Sequence, residues 1–165
     1  MIDLIDQKII GLLQKNARLS NAEIGDSVGI NPSSVFERVK KLERKGVITG
    51  YVATVDPDKL GKSVLAFIRL TVAYDYQSDD ESYDRMMHVC LNDPDILECH
   101  HVAGEDCFIV KVRAGGSKQL EKLLDKIRRQ TRSLRSVTSI VLSSFKETTL
   151  VEPYHSDGGE NETGV

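Results

Sequence analysis

The sequence predicts an α+β chain: an N-terminal helix-turn-helix (winged-helix-like) unit, followed by a ferredoxin-like βαββαβ domain. Three observations carry that expectation. The first fifty residues repeat apolar side chains at helical spacing between capping signals, the middle helix being short. Beyond Asp56–Pro57 the pattern changes to strand, helix, strand, strand, helix, strand. Charge divides at the same place. Residues 1–50 hold eight basic and six acidic residues, a net +2, whereas the remainder holds fourteen basic and nineteen acidic, a net −5.

The first helix is expected over Asp3–Lys15, with Ile5, Ile9, Leu12 and Leu13 on one stripe. Ser20-Asn-Ala-Glu23 is a capping box that opens a second, short helix with Ile24 and Val28 inward. Gly29 closes it in the left-handed conformation. Asn31–Pro32 then starts a third helix, Asn as cap and Pro in the first turn, where its missing N–H has no partner to lose. Gly46 ends that helix behind Arg44 and Lys45, cations suited to its negative end. Val47–Val55 reads as extended chain. Residues 51–61 are therefore the linker strand or hinge between a domain over 1–50 and a domain over 62–148.

In the second domain, Ser63–Tyr74 is the first strand, and a capping box at Ser78–Glu81 opens a helix to about Leu91. Asp95–Ala103 and Cys107–Ala114 are strands around a Gly-Glu-Asp turn. Ser117–Gln130 is amphipathic, with Leu120, Leu123, Leu124 and Ile127 inward, and Ser136–Phe145 is the last strand. Residues 149–165 lack an apolar pattern and are expected to be largely disordered. The first strand is apolar on both faces: Val64, Ala66, Ile68, Leu70 and Val72 on one, Leu65 and Phe67 on the other. With a two-residue turn at Gly104–Glu105, Leu97, Cys99 and His101 share a face with Phe108, Val110 and Val112, leaving Val102 and Ile109 beside His100 and Lys111. A second apolar face needs cover that one chain does not supply, so a sheet-to-sheet homodimer is expected.

No apolar run approaches a membrane span, the N-terminus lacks the basic start and cleavage region of a signal peptide, and three cysteines make no disulfide framework, so a cytoplasmic protein with reduced thiols is expected. Glu98–His101 with Cys107 supplies zinc-type ligands, but no Cys-x-x-Cys pair exists and strand alternation divides them, so no metal site is assigned. Catalysis has little support. Glu105 and Asp106 are adjacent acids in a turn, and a Cys107–His100 pair has no third, orienting group. No enzyme activity and no cofactor are assigned.

The charged side of the third helix is the candidate site. Val35, Val39 and Leu42, joined by Phe36, face the helical core. Ser33, Ser34, Glu37 and Arg38 fall near the N-terminus of what would be a recognition helix, where Arg can read guanine, Glu can accept from cytosine and Ser can pair either way. Lys40, Lys41 and Arg44 lie further along, placed for phosphates. Ser20 and Asn31, which open the two helices of the motif, belong to the same candidate set. The expected partner is double-stranded DNA, against the readings of a solvated helix laced by Glu37–Lys41 or of a face that binds an acidic protein surface.

These residues resemble a known family. "LIDQKIIGLLQKNARLSNAEIGDSVGINPSSVFERVKKLERKGVITGY" and "ILECHHVAGEDCFIVKVRA" are similar to the signatures of Lrp/AsnC, or feast/famine, transcriptional regulators over about Asp3–Thr148. The resemblance implies a transcription factor whose second domain, the RAM domain, dimerises and assembles into tetramers, octamers or larger rings. It also implies an effector, typically an amino acid, bound between dimers near the loop aligning with Gly104–Cys107. Its candidate contacts are His100, Val102, Gly104, Glu105, Asp106 and Cys107. Cys107 stands where the family usually has an acid, and Asp106 one place earlier would face the other way, which argues against leucine-type sensing and leaves another amino acid, or no ligand, open. The alternative is a small-molecule-sensing assembly module or a nucleoid-like DNA-organising protein without a specific ligand.

Overall fold

The structure is a computed structural model of the 165-residue chain and describes residues 2–72, 79–104, 108–131 and 133–152. It divides into two units. One is the chain through Thr54 together with the segment that begins at Glu147, and the other is Val55–Lys146.

The first unit has three helices, α1 (Leu4–Lys15), α2 (Asn21–Val28) and α3 (Pro32–Arg44). Each start is capped. Asp3 and Asp6 form a reciprocal box at α1, as Ser20 and Glu23 do at α2, and the Asn31 side chain accepts the Ser34 amide at α3. Orphan amides of the first turn are satisfied locally in this way. Gly29 closes α2 at φ 77°. Gly46, at φ 66°, closes α3, with the Val47 amide donating to the Leu42 carbonyl at 2.9 Å. Ile9, Ile24 and Val35 meet at the centre of the unit, one from each helix, with Ile5, Leu12, Leu13, Leu19, Val28, Ile30 and Val39 around them. The tight turn depends on Gly25. A Cβ there would stand 2.5 Å from the Ile30 carbonyl oxygen, the point where the chain reverses towards α3.

Phe36 does not join this core. It is 43% exposed, and the Lys40 ammonium sits 4.5 Å from its ring centroid. Val47–Val55, expected as extended chain, pairs with no strand among the described residues and opens in a bend at Val47–Ile48. Tyr51 in this stretch bonds Glu43 at 2.9 Å. The segment from Glu147 reaches back to α1, where the Gln14 side-chain amide donates to the Val151 carbonyl at 2.9 Å and accepts the Val151 amide at 2.8 Å.

The second unit is β1 (Val64–Val72), α4 (Asp79–Asn92), β2 (Ile96–His101), β3 (Phe108–Ala114), α5 (Ser117–Thr131) and β4 (Ser133–Ile140). Its antiparallel sheet has the order β2-β3-β1-β4. Ala66, Ile68, Leu70, Phe108, Val110 and Val112 face the helices and pack with Met86, Val89, Leu120, Leu123 and Ile127. The expected Ser78 cap and the end of the first strand beyond Val72 lie outside the described residues. β4 begins three residues earlier than expected and stops at Ile140, because Ala66 and Leu65 are the last β1 residues to pair with it or bond to it.

One inward position differs from the alternation read in sequence. A register shift between Ile96 and Glu98 buries Ile96 and leaves Leu97 half exposed, whereas Cys99 and His101 oppose Val110 and Phe108 as expected. A bulge inserts one residue on one strand, and alternation cannot foresee it. On the face away from the helices, Leu65 is buried, Ile109 and Val137 are half-buried and Phe67 is 37% exposed, among Arg69, Lys111 and Arg113.

Candidate functional site

The geometry of α3 divides its charged residues into two groups. Val35 and Leu42 are fully buried, and Val39 packs beside them. Residues offset from that stripe by roughly half a turn face outward: Ser33, Glu37, Lys40 and Arg44 recur at i, i+4, i+7 and i+11, flanked by Phe36 and Lys41, all exposed. This row carries one carboxylate against three cations, so its net charge is positive.

Arg38 belongs to the other group. It is three residues from Val35 and four from Leu42, which turns it towards the core side of the helix. There one guanidinium nitrogen, Nη1, donates to Asp3 Oδ2 and Asp6 Oδ1, each at 2.6 Å. The Asp6 side chain is 2% exposed and that of Arg38 is 28% exposed. The second Asp6 oxygen accepts the Asp3 amide in the α1 capping box. The hydrogen bond to Asp3, then that to Asp6, raises the Arg38 pKa, and the Arg38 bond holds the Asp3 carboxyl below its usual range. The cluster ties the N-terminus of α1 to the middle of α3. Arg38, read from sequence as a base-reading residue, is committed within the fold.

The remaining candidates are placed as follows. Ser20 Oγ donates to Glu23 Oε2 at 2.7 Å and accepts the Glu23 amide, so its hydroxyl is engaged in capping. The Ser20 amide is also the chief cause of a lowered Glu23 pKa. Asn31 Oδ1 accepts the Ser34 amide at 2.8 Å and the Ser33 hydroxyl at 2.7 Å. Ser34 is half-buried, while Lys41 and Glu37 are exposed. Arg44 Nε reaches the Lys40 carbonyl at 3.4 Å, which lays its side chain along the helix. Phe36 is the exposed residue that sequence reasoning assigned to the core. Its signal was its position one residue beyond Val35, off the i, i+4, i+7 stripe.

At the candidate effector loop, His100 is exposed on the edge strand, opposite Ile109, with Nε2 3.4 Å from Glu98 Oε2. Lys111 donates to Glu98 Oε1 at 3.2 Å and is the main cause of a lowered Glu98 pKa. Val102 is half-buried after β2, and Gly104 is exposed at φ 141°, a backbone value that favours glycine. Glu105, Asp106 and Cys107 lie outside the described residues.

Comparison with known proteins bears on both units. Residues 2–49 match the model of the winged helix-turn-helix DNA-binding family, and residues 65–151 match that of the Lrp/AsnC ligand binding domain. The chain is 31% identical over 144 residues to the HTH-type transcriptional regulator LrpA of Mycobacterium tuberculosis, covering 87% of this chain and 92% of that one. The chain belongs to the Lrp/AsnC family. It is also 34% identical over 123 residues to the leucine-responsive regulatory protein of Escherichia coli, 74% of this chain and 73% of the relative. Among solved structures, a feast or famine regulatory protein from M. tuberculosis complexed with L-methionine superposes with a TM-score of 0.82 at 29% identity, covering 93% of this chain and all of the other. A transcriptional regulator from Neisseria meningitidis, also in complex with L-methionine, gives 0.83 at 26% identity, covering 90% and 95%. The protein is thus a DNA-binding transcriptional regulator of the Lrp/AsnC type, in a family that is not enzymatic. Among the described residues no helix is long and apolar enough to cross a membrane.

Proposed function

We propose that the protein binds specific duplex sequences through the outward row of α3 and responds to an amino acid or related small effector held by its second domain. The observation that carries the reading is the row itself. Ser33, Glu37, Lys40, Lys41 and Arg44 are exposed on one side of a helix whose opposite side is committed to the core. Ser33 and Glu37 lie towards the helix N-terminus and are assigned to base edges. Lys40, Lys41 and Arg44 are assigned to phosphates, with Ser20, Asn31 and Ser34 steadying the helix N-termini against the backbone. Arg38 acts through α3, by holding it against α1, rather than on DNA.

The effector site is assigned to the loop beginning at Gly104, with His100, Val102, Glu105, Asp106 and Cys107, in the residue 62–148 domain. Two relatives crystallised with L-methionine support an amino acid as its class. Homodimers form through the sheet face bearing Leu65, Phe67, Ile109 and Val137, and the exposed Leu142 and Phe145 support further assembly into tetramers, octamers or rings. Residues 51–61 act as the hinge. Binding to chromosomal DNA places the protein in the cytoplasm.

The test is fluorescence anisotropy on the duplex upstream of the protein's own gene, against an unrelated duplex of equal length, at two salt concentrations. Tighter binding to the upstream duplex that weakens steeply with salt is expected. Equal affinity for both duplexes would refute sequence specificity, and an amino-acid panel without effect on affinity or assembly would refute the effector.

A further inference from the structure

Helix α4 and edge strand β2 bring two cysteines together. Cys90, near the end of α4, and Cys99, in the middle of β2, are both free and half-buried, and both pack against the core of the second unit. Both also line one hollow of about 400 Å³, together with Met86, Leu91, Leu97 and Phe108. The hollow gives a small uncharged molecule a route to two sulfurs at once. The sulfurs are inequivalent. Interaction with the neighbouring Cys90 thiol holds Cys99 below the ordinary thiol range. The same interaction, followed by burial, pushes Cys90 far above it. A depressed thiolate beside a protonated partner is the arrangement of an attacking and a resolving cysteine.

We propose that Cys90 and Cys99 form a peroxide-reactive dithiol that closes to an intramolecular disulfide between α4 and β2. The Cys99 thiolate attacks one oxygen of a hydroperoxide. The O–O bond breaks and the departing oxygen takes up a proton as water or alcohol, leaving Cys99 as a sulfenic acid, oxidised by two electrons. The Cys90 sulfur then attacks the Cys99 sulfur. The S–S bond forms, the S–O bond breaks, and the Cys90 proton leaves with the hydroxyl as water. Two thiols are oxidised for each hydroperoxide reduced. The bond closes a short loop through Asn92, Asp93 and Pro94 and fastens the helix to the sheet edge beside the hollow.

The test uses the full-length reduced protein and hydrogen peroxide. After blocking of the remaining thiols with a maleimide, cleavage after Glu98 and Glu105 places Cys90, Cys99 and Cys107 on separate fragments. The expected product is one intramolecular link joining the Cys90 and Cys99 fragments, with a mass loss of about 2 Da before blocking. In Cys90→Ser, peroxide is expected to leave a Cys99 sulfenic acid that dimedone captures. A link from Cys99 to Cys107, links only between chains, or both thiols still open to the maleimide once peroxide has oxidised Cys107 would overturn the proposal. A Cys90→Ser protein without a dimedone adduct at Cys99 would overturn the assigned order of attack.

Discussion

Replacing Arg38 by alanine tests how the helical unit holds together. The guanidinium is the counter-charge for Asp6, whose side chain is 2% exposed, and a second partner for Asp3, which is half exposed. Truncation leaves the Asp6 carboxylate buried with only the Asp3 amide as a donor. Breaking a fully buried pair costs about 3–5 kcal/mol and an exposed pair about 0–1 kcal/mol. Arg38 is itself 28% exposed, so water reaches part of the vacated site, and the change should cost about 2 kcal/mol. Hydrogen exchange read by mass spectrometry on peptides from α1 and α3 isolates this unit from the other. About 2 kcal/mol corresponds to roughly thirty-fold faster exchange of its most protected amides. The Asp6→Asn, Arg38→Ala double variant should be less destabilised than Arg38→Ala alone, because the buried charge goes with its partner. Unchanged exchange in Arg38→Ala, with lost discrimination at one base position, would return Arg38 to base readout.

Gly25→Ala places a Cβ 2.5 Å from the Ile30 carbonyl oxygen, so the turn before α3 must open, at a cost of about 1–3 kcal/mol in unfolding experiments. Asp3 and Glu23 both have carboxyls held below their usual range, by Arg38 and by the Ser20 amide respectively. Their contribution is present above the unfolded carboxylate value of about 4 and is lost as pH falls below it through the folded values; the exchange protection of α1 and α2 should therefore fall on acidification below about pH 4. Phe67→Lys puts a charge on the sheet face away from the helices and should shift the protein towards monomer in sedimentation velocity, with little loss of fold because Phe67 is already 37% exposed.

Local signals in the sequence were read well where they have a single physical solution. Ser20 with Glu23, Asn31 before Pro32, and Gly29 and Gly46 each place a helix end within a residue of where it lies. The apolar stripe of α5, through Leu120, Leu123 and Ile127, likewise faces the sheet. Features set by tertiary partners were less legible. The Ile96 bulge depends on how β2 meets β3, and the end of β4 depends on the length of β1. Arg38 looks like any other cation on a basic helix until Asp3 and Asp6, more than thirty residues away, are brought beside it. Its i+3 and i−4 relation to Val35 and Leu42 was the available clue. The box of Asp3 with Asp6 followed the same spacing as Ser20 with Glu23, with acids at both places.

The outward row of α3 is proposed to grip DNA. The most direct measurement is the salt dependence of duplex affinity for the wild-type protein, Lys41→Ala and Arg44→Ala, by anisotropy on one duplex. Each variant is predicted to bind more weakly on every sequence tried and to lose about one unit of the slope of log affinity against log salt. Slopes and affinities equal to wild type in both variants would move the DNA contact away from this face of α3.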